Sequence, residues 1–267
     1  MSLATKAAGT EPLVLRHDAD GIATLTLNRP AQRNALSQGL MSALQSALDA
    51  IAADRAVRVV ILAANGPGFC AGHDLKELRA NPGRAFQEAT FAQCAKLMLS
   101  LNRLPQPMIA RVHGIATAAG CQLVATCDLA VAADTARFAT PGVNIGLFCS
   151  TPMVALTRNV GRKQAMEMLL TGDMIDAATA KQIGLINRAV PTEELDGAVT
   201  ALAAKLASKS PYTLKIGKEA FYHQVEQPVA GAYDYAARVM TENMLARDAA
   251  EGIDAFIEKR EPKWCGG

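Results

Sequence analysis

Hydrophobic and polar positions alternate in short bursts near the start of the chain, then switch to a helical period. Residues 13–16 and 22–28 are short alternating or apolar runs. Asp18-Ala19-Asp20-Gly21 lies between them as a turn sequence, so the segment reads as a hairpin. Asn28-Arg29-Pro30 ends it. Ser37 is placed to cap a helix to about residue 53, with Leu40, Leu44, Leu48 and Ile51 on one face. Residues 57–63 are apolar and rich in β-branched side chains, and Asn65-Gly66-Pro67-Gly68 follows; this predicts a buried strand and a loop. Asn81-Pro82-Gly83 breaks the chain before a helix over 84–103. Residues 107–112 predict a strand, 113–119 a small, flexible segment, 121–126 a helix and 128–132 a strand. Helices are expected over 151–160, 162–170 and 176–183, then a strand over 186–190. From about residue 192 the pattern is helical nearly throughout, with Pro211 and Pro228 at helix starts or boundaries.

Short strands followed by helices, then a helical tail, give an α/β layout. No GxGxxG follows the first strand and no phosphate-binding P-loop motif occurs, so a nucleotide-binding α/β fold is not indicated. At 267 residues, half of them hydrophobic and 19% charged, the chain is long and apolar enough to bury a core without staples. Lys and Arg number 27 against 25 Asp and Glu, a balance that argues against a nucleic-acid partner. Six dispersed cysteines without a CxxC pair point to reduced thiols, and hence to a cytoplasmic location. The histidines at 17, 73, 113 and 223 form no ligand pair, so no metal is expected. Residues 138–157 are uncharged, but their prolines and glycines make a poor membrane span; buried, irregular backbone is the expectation. Residues 1 to about 10 read as a loose tail without an apolar signal segment.

Two strand-to-helix loops are candidates for chemistry. One is Phe69-Cys70-Ala71-Gly72-His73-Asp74-Leu75; the other is Gly114-Ile115-Ala116-Thr117-Ala118-Ala119-Gly120-Cys121-Gln122. Small residues let a ligand approach the backbone, and free N–H groups at a helix start attract negative charge. Facing each other, the loops would make an oxyanion hole. Taken as residues alone, they read more simply as ordinary tight turns that need small residues.

The first loop, continued through Lys76-Glu77-Leu78, resembles the first signature of the enoyl-CoA hydratase/isomerase (crotonase) superfamily. The second, followed by Cys127-Asp128-Leu129-Ala130, resembles its other signature. Asn28-Arg29-Pro30 with Asn34-Ala35-Leu36, Phe138-Ala139-Thr140-Pro141, and the segment from Glu251-Gly252-Ile253 to Pro262 fit as well. The resemblance implies a spiral ββα core over residues 11–196 and a helical C-terminal oligomerisation region over 197–267. It also implies an acyl-CoA thioester as ligand, a homotrimer or dimer of trimers, and no cofactor beyond the coenzyme A carried by the substrate. By the same resemblance, the amides of His73 and Ala119 polarise the thioester carbonyl. Arg33, Ala35, Leu36, Ala71, Asp74, Leu75 and Lys76 line the coenzyme A, and Phe256 and Lys259 reach it, sometimes from a neighbouring subunit.

The pattern fails at two positions. Hydratases of this superfamily use two glutamates to hold a water and move its proton. Their places are taken here by Gln122 and Gly142. Glutamine orients a water but accepts no proton near neutral pH, and glycine offers only space or backbone. General acid–base catalysis contributes about 10²–10⁴-fold, so efficient hydration is not expected. The pattern resembles the divergent branch typified by enoyl-CoA hydratase domain-containing protein 3. Cys149 and Ser150 are candidate replacement nucleophiles, given a nearby base. Three functions follow: a weak or altered hydratase-like lyase, a malonyl-type acyl-CoA decarboxylase or other thioester enolate chemistry, and a non-catalytic acyl-CoA binder.

Overall fold

The computed structural model describes residues 11–267. The expected tail at residues 1–10 lies outside the described residues. Strands β1 (Val14–Ala19) and β2 (Ile22–Leu27) pair antiparallel across Asp20 and Gly21, both at positive φ (52° and 75°). That conformation matches the twist of a two-residue hairpin. Helix α1 (Gln38–Ala52) begins where Ser37 Oγ accepts from Leu40 N at 3.1 Å. It buries Leu40, Met41, Leu44, Leu48 and Ile51, the face expected from their spacing.

Strand β3 (Val59–Ala64) is buried along its whole length. Val60, Leu62 and Ala64 enter the main core, while Val59, Ile61 and Ala63 enter a second one on the opposite face. Covering both faces explains why the strand is continuously apolar. Then come β4 (Gly68–Cys70), α2 (Leu75–Ala80), α3 (Arg84–Arg103), β5 (Met108–Val112), β6 (Ile115–Thr117) and α4 (Ala119–Thr126). Next are β7 (Leu129–Ala133), β8 (Arg137–Ala139), α5 (Pro152–Leu156), α6 (Arg162–Thr171), β9 (Ile175–Asp176), α7 (Ala177–Gln182) and β10 (Arg188–Val190). Helices α8 (Leu195–Ala207), α9 (Pro211–Gln224), α10 (Val229–Met244) and α11 (Arg247–Glu258) complete the chain.

The strands form two sheets, ordered β1-β2-β3-β5-β7-β10 and β4-β6-β8-β9. Each pair β3/β4, β5/β6 and β7/β8 gives one strand to each sheet, so the chain advances as a spiral of ββα turns. The second sheet is where the structure departs from expectation. Its strands are two or three residues long, too short for a legible alternation. The segment expected to be flexible at 113–119 thus contains β6. The uncharged stretch is also corrected: Pro141–Ile145 form a short 3-10 helix, and residues 144–148 are exposed, not buried.

The division at 196/197 falls inside α8, whose Leu195, Val199 and Ala203 pack on the large sheet. Residues 208–210 join it to α9. Helix α9 then docks through a largely but not fully buried polar cluster. Lys218 Nζ lies 2.7 Å from Asp128 Oδ2 and donates to the carbonyls of Leu101 and Gln106, both at 3.1 Å. Tyr222 donates to Asp128 Oδ1 at 2.9 Å, and Met108 N donates to Asp128 Oδ2 at 2.7 Å.

Removing one partner of a buried ion pair strands the other. Asp128→Ala is expected to cost about 3–5 kcal/mol, read as a lower urea midpoint. Glu88→Ala, which breaks an exposed pair with Arg84, changes stability by less than about 1 kcal/mol. Equal effects would contradict the docking role of Asp128.

Candidate functional site

The parallel pairs Gly68↔Ile115 and Cys70↔Ala116 join β4 to β6, and Ala116↔Phe138 and Thr117↔Ala139 join β6 to β8. Three loops therefore leave the same edge of the small sheet. Thr117 Oγ1 donates to the Ala71 carbonyl at 3.1 Å and ties the first loop to the second. Gly72 has φ +95°, and a Cβ there would meet Ala118 Cβ at 2.8 Å, Thr117 O at 3.1 Å and Ala119 N at 3.4 Å. A Cβ at Gly120 would overlap the Cys70 carbonyl. The loops thus touch backbone to backbone, which only glycine permits at these points.

The amide of His73 follows Gly72, and that of Ala119 opens α4. Neither donates to another group among the described residues. Ala118, between β6 and α4, has φ 50° and ψ −118°. For a residue with a Cβ this conformation costs about 1–3 kcal/mol. Its N–H is held by the Ala139 carbonyl at 2.9 Å.

The first loop is clamped from the side. Leu36 N donates to Gly72 O at 2.7 Å and Asp74 N to Leu36 O at 3.1 Å, bracketing His73. Ala71 N donates to Arg33 O at 3.0 Å, where Arg33 and Asn34 both adopt left-handed backbone. Buried Asn34 donates to the carbonyls of Asn65 and Gly68 and accepts from Arg29 N. Sequence reasoning quoted Asn34 and Arg29 within motifs but gave them no role. Their signal was the Asn-Arg-Pro and Asn-Ala-Leu spacing.

Asp74, an expected ligand contact, is engaged within the loop itself. Its Oδ1 caps α2 by accepting from Lys76 N at 3.1 Å and Glu77 N at 3.2 Å, while Arg29 Nη2 reaches Oδ2 at 3.0 Å. Burial pushes its carboxyl up, but those amides and the guanidinium outweigh burial and hold it below the usual range. Arg33, Ala71, Leu75 and Lys76 are exposed beside this clamp, Ala35 is half-buried and Leu36 is buried.

The side chains on the three loops are mostly uncharged. The His73 ring is edge-on to Phe91, centroids 5.4 Å apart. Burial lowers its pKa against a smaller opposing effect from the Leu36 carbonyl, so the imidazole is neutral at neutral pH. Gln122 is buried, with Oε1 4.0 Å from Cys94 Sγ on α3. The Gly142 position is not an open slot. A Cβ there would meet Leu147 O at 2.7 Å and Cys149 Sγ at 3.0 Å, and Leu147 N donates to Gly142 O at 2.9 Å. The 142–149 loop folds back on Gly142 and fills the space beside it.

Burial pushes the Cys149 thiol up, with the Gly142 amide opposing less strongly. Ser150 is exposed, and its hydroxyl bonds only to the Phe148 carbonyl at 3.4 Å. Among the described residues no histidine or carboxylate hydrogen-bonds to either. Thr140, which sequence reasoning passed over, is fully buried with an unpartnered Oγ1 on the third loop. His113 is held structurally, with Nε2 2.8 Å from the Gly66 carbonyl. Phe256 is 84% exposed on α11, and no hydrogen bond or ion pair joins it or Lys259 to the loops among the described residues.

A sequence profile described as enoyl-CoA hydratase/isomerase matches residues 17–267. The chain belongs to that family. It is 47% identical over 256 residues to the mitochondrial enoyl-CoA hydratase domain-containing protein 3 of Rattus norvegicus, covering 96% of this chain and 85% of the relative. The human enoyl-CoA hydratase domain-containing protein 3 crystal structure superposes with a TM-score of 0.92 at 46% identity, over 94% of this chain and 100% of that one. An enoyl-CoA hydratase structure from Mycobacterium smegmatis gives 0.93 at 54% identity, over 95% and 99%. The chain therefore has the crotonase fold and falls in the domain-containing protein 3 branch. The cytoplasmic expectation is corrected: the rat relative, like those of Xenopus laevis, Mus musculus and Homo sapiens, is named mitochondrial. Dispersed free thiols mark a reducing environment, which is not peculiar to the cytoplasm.

Gly142→Ala is expected to lose about 1–3 kcal/mol by overpacking against the Leu147 backbone. Gly83→Ala, where a Cβ meets nothing within 4 Å, stays within about 0.5 kcal/mol. Comparable urea midpoints for the two variants would contradict the closed loop.

Proposed function

We propose that this protein binds acyl-CoA thioesters and polarises the thioester carbonyl between the backbone N–H groups of His73 and Ala119. The observation that carries the reading is the pair of unengaged amides on loops in backbone contact, Gly72 abutting Ala119. Donors held rigidly where an oxyanion develops need no reorganisation, and losing one typically costs about 2.7–4 kcal/mol of transition-state stabilisation. Arg33 and Lys76 supply exposed cations for coenzyme A phosphates, and Ala35, Leu36, Ala71 and Leu75 supply close backbone and apolar contact. Phe256, Leu245, Tyr233, Val229 and Ile257, each at least 70% exposed, give the C-terminal helices an apolar face. That face suits a homotrimer or dimer of trimers, in which Phe256 and Lys259 would approach a neighbour's ligand.

Gln122 can orient a water, but nothing at Gly142 can take its proton. Hydration through a carboxylate pair is therefore lost, and the lyase reaction is weak or altered. The closed loop at Gly142 favours a second reading, decarboxylation of a malonyl-type acyl-CoA. There, loss of CO₂ leaves its electron pair in the enolate that the two amides stabilise, without a base. This account gives Cys149 and Ser150 no nucleophilic role.

The test is hydration of crotonyl-CoA by the purified protein, beside a two-glutamate hydratase and with acyl-CoA binding measured in parallel. Binding with turnover at least about 10²-fold lower is expected. Release of CO₂ from a malonyl-type CoA would favour the second reading over the first. Absence of acyl-CoA binding would overturn both, and turnover equal to the comparison enzyme would overturn the claim that the missing carboxylates matter.

A further inference from the structure

The face of the large sheet turned away from the main core carries a cavity of about 530 Å³ that shares no residue with the three site loops. Strand register accounts for it. On that face Thr24 and Thr26 of β2 stand beside Ile61 and Ala63 of β3. Ile61 and Ala63 are buried with Val199 of α8, whereas the two threonines stay half-buried. Thr200 of α8 joins the lining, and none of the three threonine hydroxyls is paired with a protein group among the described residues. Arg111 and Asp196 line the cavity as well, joined through Nε and Oδ1. His113 forms a further wall. Its Nε2 meets the Gly66 carbonyl, which only accepts, so Nε2 carries the proton and Nδ1 is an acceptor. That Nδ1 is buried without a partner.

Convergent polar groups that no protein atom satisfies, in a recess of ligand size, are the pattern of a small-molecule site. The groups also define its chemistry. The charges of Arg111 and Asp196 cancel, which disfavours a phosphate or an ammonium as ligand. Their mutual bond leaves guanidinium N–H donors beside a carboxylate acceptor. Two adjacent hydroxyls answer that arrangement: one donates to Asp196 while its neighbour accepts from Arg111. The threonine hydroxyls, which donate or accept, serve the remaining oxygens of such a ligand. Ile61, Ala63 and Val199 give an apolar strip for the C–H face of a ring. We propose that this cavity binds a neutral ligand bearing a vicinal diol on a sugar ring, supplied by a free carbohydrate or by the ribose of a nucleoside. The site is separate from the loops assigned to acyl-CoA and stands whether or not that reading holds.

The test follows the ¹³C-labelled threonine methyl resonances of the full chain as maltose or uridine is added. Those of Thr24, Thr26 and Thr200 are expected to move, with at least one probe binding at about millimolar affinity or better. Movement with maltose identifies a free carbohydrate as the source of the diol, and movement with uridine a nucleoside. In the uridine arm, 2′,3′-dideoxyuridine lacks the diol and is expected to bind at least about tenfold more weakly. For whichever probe binds, Arg111→Met removes the donors and weakens binding at least about tenfold. Thr26→Val removes one hydroxyl at constant shape and weakens it about fivefold. The urea midpoint of each variant shows that it folds. Resonances unmoved by either probe at about 10 mM overturn the proposal. Dideoxyuridine binding as tightly as uridine overturns it too, as does undiminished binding of the active probe to both variants.

Discussion

Parallel pairing of β4 with β6 and of β6 with β8 is the constraint on which the site depends. Parallel neighbours end on the same edge, so each turn of the spiral delivers its loop beside the previous one. The first brings the His73 amide, the second the Ala119 amide and Gln122, and the third Gly142. Because the strands are only three residues long, the loops are held close to their hydrogen-bonded ends. Gly72 and Gly120 then let the two backbones meet, and the strained Ala118 turns the chain sharply into α4. Catalytic groups made from main chain require this kind of support, because no side-chain rotamer can correct an error in backbone position.

The polar clamp around the first loop is a second layer of the same constraint. Asn34 is buried with three hydrogen bonds, and Arg29 reaches both Ala35 and Asp74. These groups are charged or strongly polar, yet each is paired, so their burial fixes geometry rather than loosening it. The floor of the site contrasts with this. His73, Gln122, Thr140 and Cys149 carry no charge there, and the 142–149 loop packs against Gly142.

Much of this was legible in the sequence where local physics decides the structure. The Asp20-Gly21 turn, the Ser37 cap, the apolar face of α1 and the span of α3 all follow from residues within a turn or two of one another. The small sheet was not legible, because two- and three-residue strands carry no period and exist only through their neighbours. The roles of Asn34 and Arg29 and the Arg29–Asp74 pair were hidden for a similar reason: the partners lie 5–45 residues apart along the chain. Spacing alone likewise left Gly142 as vacant space; only tertiary packing put the Leu147 carbonyl against it. The compartment was misjudged because free cysteines report a redox state, not an address.

The most direct test of the central claim is the infrared carbonyl stretch of a bound acyl-CoA labelled with ¹³C at the thioester carbon. Two amide donors on the oxygen weaken the C=O bond. The account predicts that the labelled band moves to lower frequency when the thioester binds this protein. A band at the frequency of the free thioester, with binding confirmed in the same sample, would contradict it.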